Sequence, residues 1–154
     1  NGSILSDGLL QRRYRETFNG LRKLRPWSKK DACYFFGYAM ADYYGLPFKL
    51  RGLELRGCGK HSNGWYWLEA LFPRGADTHC RTQRFWFDNT GLLLRHDYRA
   101  DVIGPMFWGA HLSEDYCFDH AVPLARRRTV KLRLGKYASP IPVLHAQLGI
   151  QSVG

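Results

Sequence analysis

No apolar run in this chain approaches the ~18 residues of a membrane-spanning helix. There is no Cys-x-x-Cys either. Cys33, Cys58, Cys80 and Cys117 stand far apart, so the spacing suits neither a compact zinc module nor the disulfide frame of a small secreted domain. All 4 are expected as free thiols, with Cys33 as a small buried hydrophobe on a helix. No charged n-region and apolar h-region open the sequence, and the expected location is the cytoplasm. No Gly-rich phosphate loop follows a strand and no Gly-x-Ser-x-Gly elbow occurs, which leaves P-loop and α/β-hydrolase chemistry unsupported and implies no cofactor. Acidic residues are scarce, 13 against 23 Lys and Arg, for a formal net charge of +10.

What is abundant is aromatic surface. Phe, Tyr and Trp make up 15% of 154 residues, a length that suits one domain with a core of its own. Along the chain, residues 1–20 read as an N-terminal arm or strand, 28–44 as a helix and 49–153 as an antiparallel sheet, all within a single domain. Ser28 is a good N-cap and Asp31 a good third helical residue, while Gly45 and Pro47 stop the helix. Cys33, Phe36, Gly37, Met40, Ala41 and Tyr44 recur at helical spacing, but Tyr34, Phe35, Tyr38 and Tyr43 make the opposite face aromatic too. A helix apolar nearly all round is expected to be enclosed, with Phe36 and Met40 buried.

Strands are expected at 49–56 and 64–72, then in a hairpin of 80–88 and 91–102 whose Asp88-Asn89-Thr90-Gly91 turn puts a left-handed glycine fourth. Residues 105–112 are ambiguous. A segment 118–124 leads into a strand at 125–134, Ser139-Pro140-Ile141-Pro142 reads as a rigid turn, and 143–150 closes the sheet. The fold class is α+β, an antiparallel β-barrel or half-barrel wrapped around one long aromatic helix.

Strand alternation from Leu92 and Leu94 puts His96 and Tyr98 on the interior face, leaving Arg95, Asp97, Arg99 and Asp101 as a solvated ladder of alternating charge. A plain two-residue loop sets Gln83 opposite His96, and a bulged turn sets Arg84 there. An inward imidazole in an apolar pocket has its pKa drawn down and can serve as a base. The catalytic candidates are His96, Tyr98, His111 and Asp119, which could converge with His79 at a barrel mouth. His79, Gln83, Arg84, Phe36, Met40, Trp67, Trp86 and Trp108 are the expected ligand contacts. Two Cys-x-x-His pairs, Cys58 with His61 and Cys117 with His120, are read as chance spacing, and no metal is expected.

Trp27, Tyr34-Phe35-Phe36-Gly37-Tyr38-Ala39, Phe85-Trp86-Phe87-Asp88, Arg95-His96-Asp97-Tyr98, Ala110-His111 and Arg126-Arg127-Arg128 form a pattern over most of residues 20–153. That pattern resembles an uncharacterised bacterial domain family. Residues 119–128 are also similar to the last strands of lipoprotein-carrier half-barrels, and the resemblance implies a barrel for a hydrophobic ligand. The expected function is binding of a hydrophobic or aromatic metabolite, with His/Asp acid-base catalysis of an isomerase, cyclase or lyase type as an extension. The alternatives are a non-catalytic lipid carrier and a single-stranded nucleic-acid module using the clusters at Arg12-Arg13, Arg22 to Lys30 and Arg126 to Lys131.

Overall fold

Ser28 caps the helix as its side chain allows. Its Oγ accepts from the Asp31 amide at 3.2 Å while the Asp31 carboxylate accepts from the Ser28 amide at 2.8 Å, closing a capping box. In the computed structural model of the protein, which describes residues 14–18, 25–46, 48–102, 108–135 and 137–147, this box opens α1 (Lys29–Gly45). The helix stops at Gly45 as expected, but through Leu46 in an extended conformation rather than a left-handed glycine. Most of the expected N-terminal arm lies outside the described residues; its end, Tyr14–Phe18, is a helical turn whose Tyr14 hydroxyl donates to Asp31.

The buried face of α1 is not the one the apolar spacing selected. Asp31, Tyr38, Ala39, Asp42 and Tyr43 are buried, while Phe36 is 51% exposed and Cys33 and Tyr44 are exposed as well. The helix therefore lies on the sheet with an open outer face and is not enclosed. With apolar residues all round, hydrogen bonding decides the rotation. The sheet offers polar partners, and tyrosines can bury a ring and satisfy a hydroxyl together.

After a 3-10 turn at Phe48–Leu50, seven strands follow: β1 (Glu54–Lys60), β2 (Tyr66–Leu71), β3 (Thr82–Phe87), β4 (Leu93–Tyr98), β5 (Gly109–Asp119), β6 (Val122–Leu134) and β7 (Tyr137–Gln147). Each pairs antiparallel with its sequence neighbour, so the sheet is an open meander with β1 and β7 at its edges. The α+β class holds. No helix among the described residues is long and apolar enough to cross a membrane.

Beyond shifts of a few residues at strand ends, four stretches differ from expectation, the first being β5, which begins inside the ambiguous 105–112 and runs on to Asp119. β1 begins at Glu54, the 3-10 turn taking the residues before it. The 118–124 segment is itself a hairpin turn, because His120 (φ 45°) and Ala121 (φ 66°) both adopt the left-handed conformation that usually signals itself by glycine or asparagine. Pro140 and Pro142 lie inside β7 rather than in a turn, which an edge strand with one free hydrogen-bonding side tolerates.

Opposed residues share a face, so Leu68, Phe85, His96, His111 and Val130 form one row across β2 to β6 on the side that α1 covers. Trp67, Trp86, Arg95, Leu112 and Thr129 form the adjacent row on the other side. The β3–β4 turn has the expected left-handed Gly91 (φ 89°), but the register runs Trp86 to Arg95 and then Phe87 to Leu93. Leu94 is thus an extra, bulged residue, and Phe85, rather than Gln83 or Arg84, stands opposite His96.

The burial pattern separates two substitutions that the sequence alone would equate. Phe85→Ala, in the core with Leu46, Ala70 and Phe72, should cost ~3–5 kcal/mol in urea unfolding, while Phe36→Ala should cost under ~1 kcal/mol. Equal costs would place Phe36 in a core. Ala121→Gly should stabilise the chain by ~1 kcal/mol by relieving the left-handed alanine, a rise in melting temperature that calorimetry would register.

Candidate functional site

The helix-facing side of β3 to β6 carries a continuous layer of polar and aromatic groups. Gln83 anchors it. Its Nε2 donates to Cys80 O and Thr78 Oγ1, both at 2.7 Å, which fixes the amide so that Oε1 faces His96 Nε2 at 2.6 Å. An amide oxygen only accepts, so the His96 proton sits on Nε2. The ring stacks on Phe85 at 4.4 Å and leans on Tyr98 at 4.7 Å, and its Nδ1 has no partner among the described residues. Burial, then the neighbouring His111 and Arg128, hold this imidazole well below its ordinary pKa and therefore neutral.

Tyr98 touches both histidines, stacking on His111 at 4.4 Å and tilted against His96 at 4.7 Å, while the two imidazoles lie 6.1 Å apart. Its hydroxyl is buried without a partner among the described residues, and burial pushes its pKa well up. Opposite Tyr98 stands Gly109, where a Cβ would meet His111 Nε2 at 2.6 Å; only glycine leaves room for this stack. His111 Nδ1 lies 2.9 Å from the Tyr43 hydroxyl, and burial with Arg128 pushes the imidazole down to about 3. Tyr43 itself is raised to about 12 by burial, so it keeps its proton. Arg128 from β6 lies over the Tyr43 ring at 4.7 Å and donates from Nη1 to Ser113.

Between α1 and strands β4 to β7, this layer meets a cavity of about 390 Å³. Phe35, Phe36, Ala39, Met40, Ala100, Trp108, Val130, Leu132 and Val143 wall it, with Tyr43, Tyr98, His111 and Arg128 also at its surface. The volume falls within the ~300–1,000 Å³ of small-molecule sites, and the mostly apolar lining with few polar groups is their usual composition.

The expected convergence is partial. His96, Tyr98 and His111 do meet, and Phe36, Met40 and Trp108 line the cavity; His96 lies beneath it, screened by Tyr98 and His111. Gln83 serves His96 from behind. His79 belongs to a second cluster: Nδ1 meets Asp101 at 2.6 Å and Nε2 meets the Tyr34 hydroxyl at 3.0 Å. Although burial opposes it, His79 and Arg15 keep the Asp101 carboxyl below the usual range. This cluster ties α1 and the helical turn at Tyr14–Phe18 to the loop before β3, outside the cavity lining.

Asp119 is exposed at the β5–β6 turn and joins no histidine of the site, since β5 carries it eight residues beyond His111. Trp67, Trp86 and Arg84 lie on the far face of the sheet and are not ligand contacts in this cavity. Nor is that face a solvated ladder. Asp97 is fully buried there, taking Arg95 Nε at 2.5 Å and Trp86 Nε1 at 3.1 Å, because the neighbouring tryptophans and arginines close over it. Cys58 and Cys117 lie on β1 and β5, four interstrand spacings or about 19 Å apart, so the two Cys-x-x-His pairs do not form one four-ligand set. Of the triple arginine, Arg126 and Arg127 are exposed and pair with Asp115 and Glu114, while Arg128 turns inward.

Sequence reasoning missed Arg128 and Tyr43 as site residues. Alternation from Val130 would have turned Arg128 inward, but nothing local says which of three arginines is buried. Comparison of the chain with protein-family models, with curated proteins and with solved structures finds no match.

The neutral histidines fix a direction for the pH dependence. Their native pKa values lie below the ~6.5 of a free imidazole, so below that pH the unfolded chain binds protons that the native chain refuses. This stability is full above pH ~7 and is lost as pH falls, by up to ~1.4 kcal/mol per pH unit for each imidazole. Urea unfolding at pH ~5 should show a clear loss against pH ~7, and His111→Gln should reduce that loss. An unchanged free energy across this interval would mean that both imidazoles titrate normally.

Proposed function

We propose that the chain is a binding module for a hydrophobic or aromatic small molecule, carried in the cavity between α1 and β4 to β7. The observation that carries this reading is the cavity of about 390 Å³ with its nearly continuous apolar wall. Its exposed rim supports it further: Phe36 and Val143 are both at the cavity and open to solvent, which offers an entrance. Kinship with the uncharacterised bacterial domain family, and the half-barrel form of the lipoprotein carriers, belong to this proposal.

Carriage is favoured over catalysis. His96 Nε2 is occupied by Gln83, and no carboxylate among the described residues lines the cavity to act with His111. A catalytic version would fall to His111 and Tyr98, and turnover abolished by His111→Gln with binding intact would establish it. The nucleic-acid alternative calls for a steep fall of affinity with salt.

The test uses the neutral fluorophore 1-N-phenylnaphthylamine. It should bind at a single saturable site, and Ala39→Trp or Val130→Trp, which put an indole into the cavity, should weaken it at least ~10-fold while preserving cooperative melting. Phe118→Ala, at an exposed position away from the lining, should bind as the parent does. Undiminished binding by both tryptophan variants would rule the cavity out as the site.

A further inference from the structure

Arg128 poses a problem that the fold does not solve. It is 5% exposed, and its contacts are the Tyr43 ring and the Ser113 hydroxyl, both neutral. Its Nε has no hydrogen-bond partner among the described residues, and no carboxylate among them pairs with it. Asp7 is the only one of the 13 acidic residues that lies outside the described segments. A buried guanidinium stays charged, and a buried charge without a counter-ion is costly.

The orphaned donor is not alone. Tyr98, 1% exposed and also a lining residue of the cavity, has a hydroxyl without a partner among the described residues, and His111 places its Nε2 by Gly109. The polar groups at the cavity are therefore Arg128, Tyr98, His111 and Tyr43, with Lys131 also in the lining and no acidic side chain at its described surface. Ser113 occupies Nη1 of Arg128 and Nε is unpartnered among the described residues; Nε lies on the Nε–Nη2 edge, whose two parallel N–H groups match a carboxylate.

We propose that the molecule carried in this cavity is an amphipathic carboxylate, its head held by Arg128 and Tyr98 and its hydrocarbon or aromatic body lying against Ala39, Met40, Val130 and Leu132. The proposal rests on the hydrophobic-ligand reading above and adds the chemical class of the ligand. The absent counter-ion of Arg128 is the ligand's own charge.

Titration calorimetry with octanoate, dodecanoate and hexadecanoate, each set against the alcohol of the same length, tests it at neutral pH. At least one acid should bind ~10-fold or more tighter than its alcohol, as a charge-assisted bidentate pair would give. Arg128→Met should erase that preference, acid and alcohol of one length then binding alike, and Arg128→Lys, which keeps the charge without the fork, should retain part of it. Tyr98→Phe is the second variant, should Arg128→Met not fold. It removes an unpartnered hydroxyl, so it should melt no lower than the parent and yet weaken the acid by ~3–10-fold. Alcohols binding as tightly as acids, or an acid preference that survives Arg128→Met and Tyr98→Phe, would overturn the carboxylate proposal and leave the cavity reading standing. Arg128-dependent binding of an acid with no binding of the neutral fluorophore would overturn the hydrophobic reading instead. Binding of neither overturns both.

Discussion

Three tyrosine hydroxyls fix the helix to the sheet, and the rest of the architecture follows from their placement. Tyr34 reaches His79, Tyr38 reaches Thr78 and accepts from the His79 amide, and Tyr43 reaches His111. They set the rotation of α1, because turning Phe36 inward would strand these hydroxyls and imidazoles in a dry interface, at ~1–3 kcal/mol for each group left unpaired. They also set its height. The tyrosines are long, and between their footings on the loop before β3 and on β5 the shorter Ala39 and Met40 face strands they do not fill. The cavity is what remains.

Hydrogen bonding also explains what the sequence could and could not disclose. The capping box and the Asp88–Gly91 turn are local devices, legible because each depends on a few adjacent residues. The helix face was not legible, since an apolar stripe at 33, 36, 40 and 44 competes with an aromatic one at 34, 38 and 43, and only the partners across the interface choose between them. The type I′-like turn at His120-Ala121 hides for a related reason: its conformation is imposed by the long β5–β6 pairing, against the preference of both residues.

The inward placement of His96 shows how a correct position can follow from an incomplete argument. Alternation counted from Leu92 and Leu94 points His96 inward, yet the leucine packed against the core is Leu93, half-buried with Phe87 against the cluster of Phe85. The bulge at Leu94 then shifts the phase by one, and His96 recovers the inner face. Without the bulge, Leu93 inside would have put His96 outside and Asp97 under the helix. The register is a property of the hairpin's pairing, not of either strand read alone.

The two faces of this sheet handle buried charge in opposite ways. On the outer face, Asp97 is wholly buried but receives Arg95 through two bonds and the Trp86 indole through a third, with Arg133 3.7 Å away. That cluster is closed: opposite charges meet, its acceptors are filled, and nothing further is required of it. On the inner face, Asp42 Oδ2, His96 Nδ1, Tyr98 Oη and Arg128 Nε are all buried and unpartnered among the described residues. A native fold holds few such atoms, because each costs roughly what one hydrogen bond returns. Their confinement to the side that carries the cavity, while the far side satisfies a harder electrostatic problem, is what the proposed binding role would account for. Two of the four belong to residues that line the cavity, Tyr98 and Arg128. On the proposed reading their hydrogen-bonding capacity belongs to the bound state, and the apolar walls beside them would bring a head group small enough for those donors to that place.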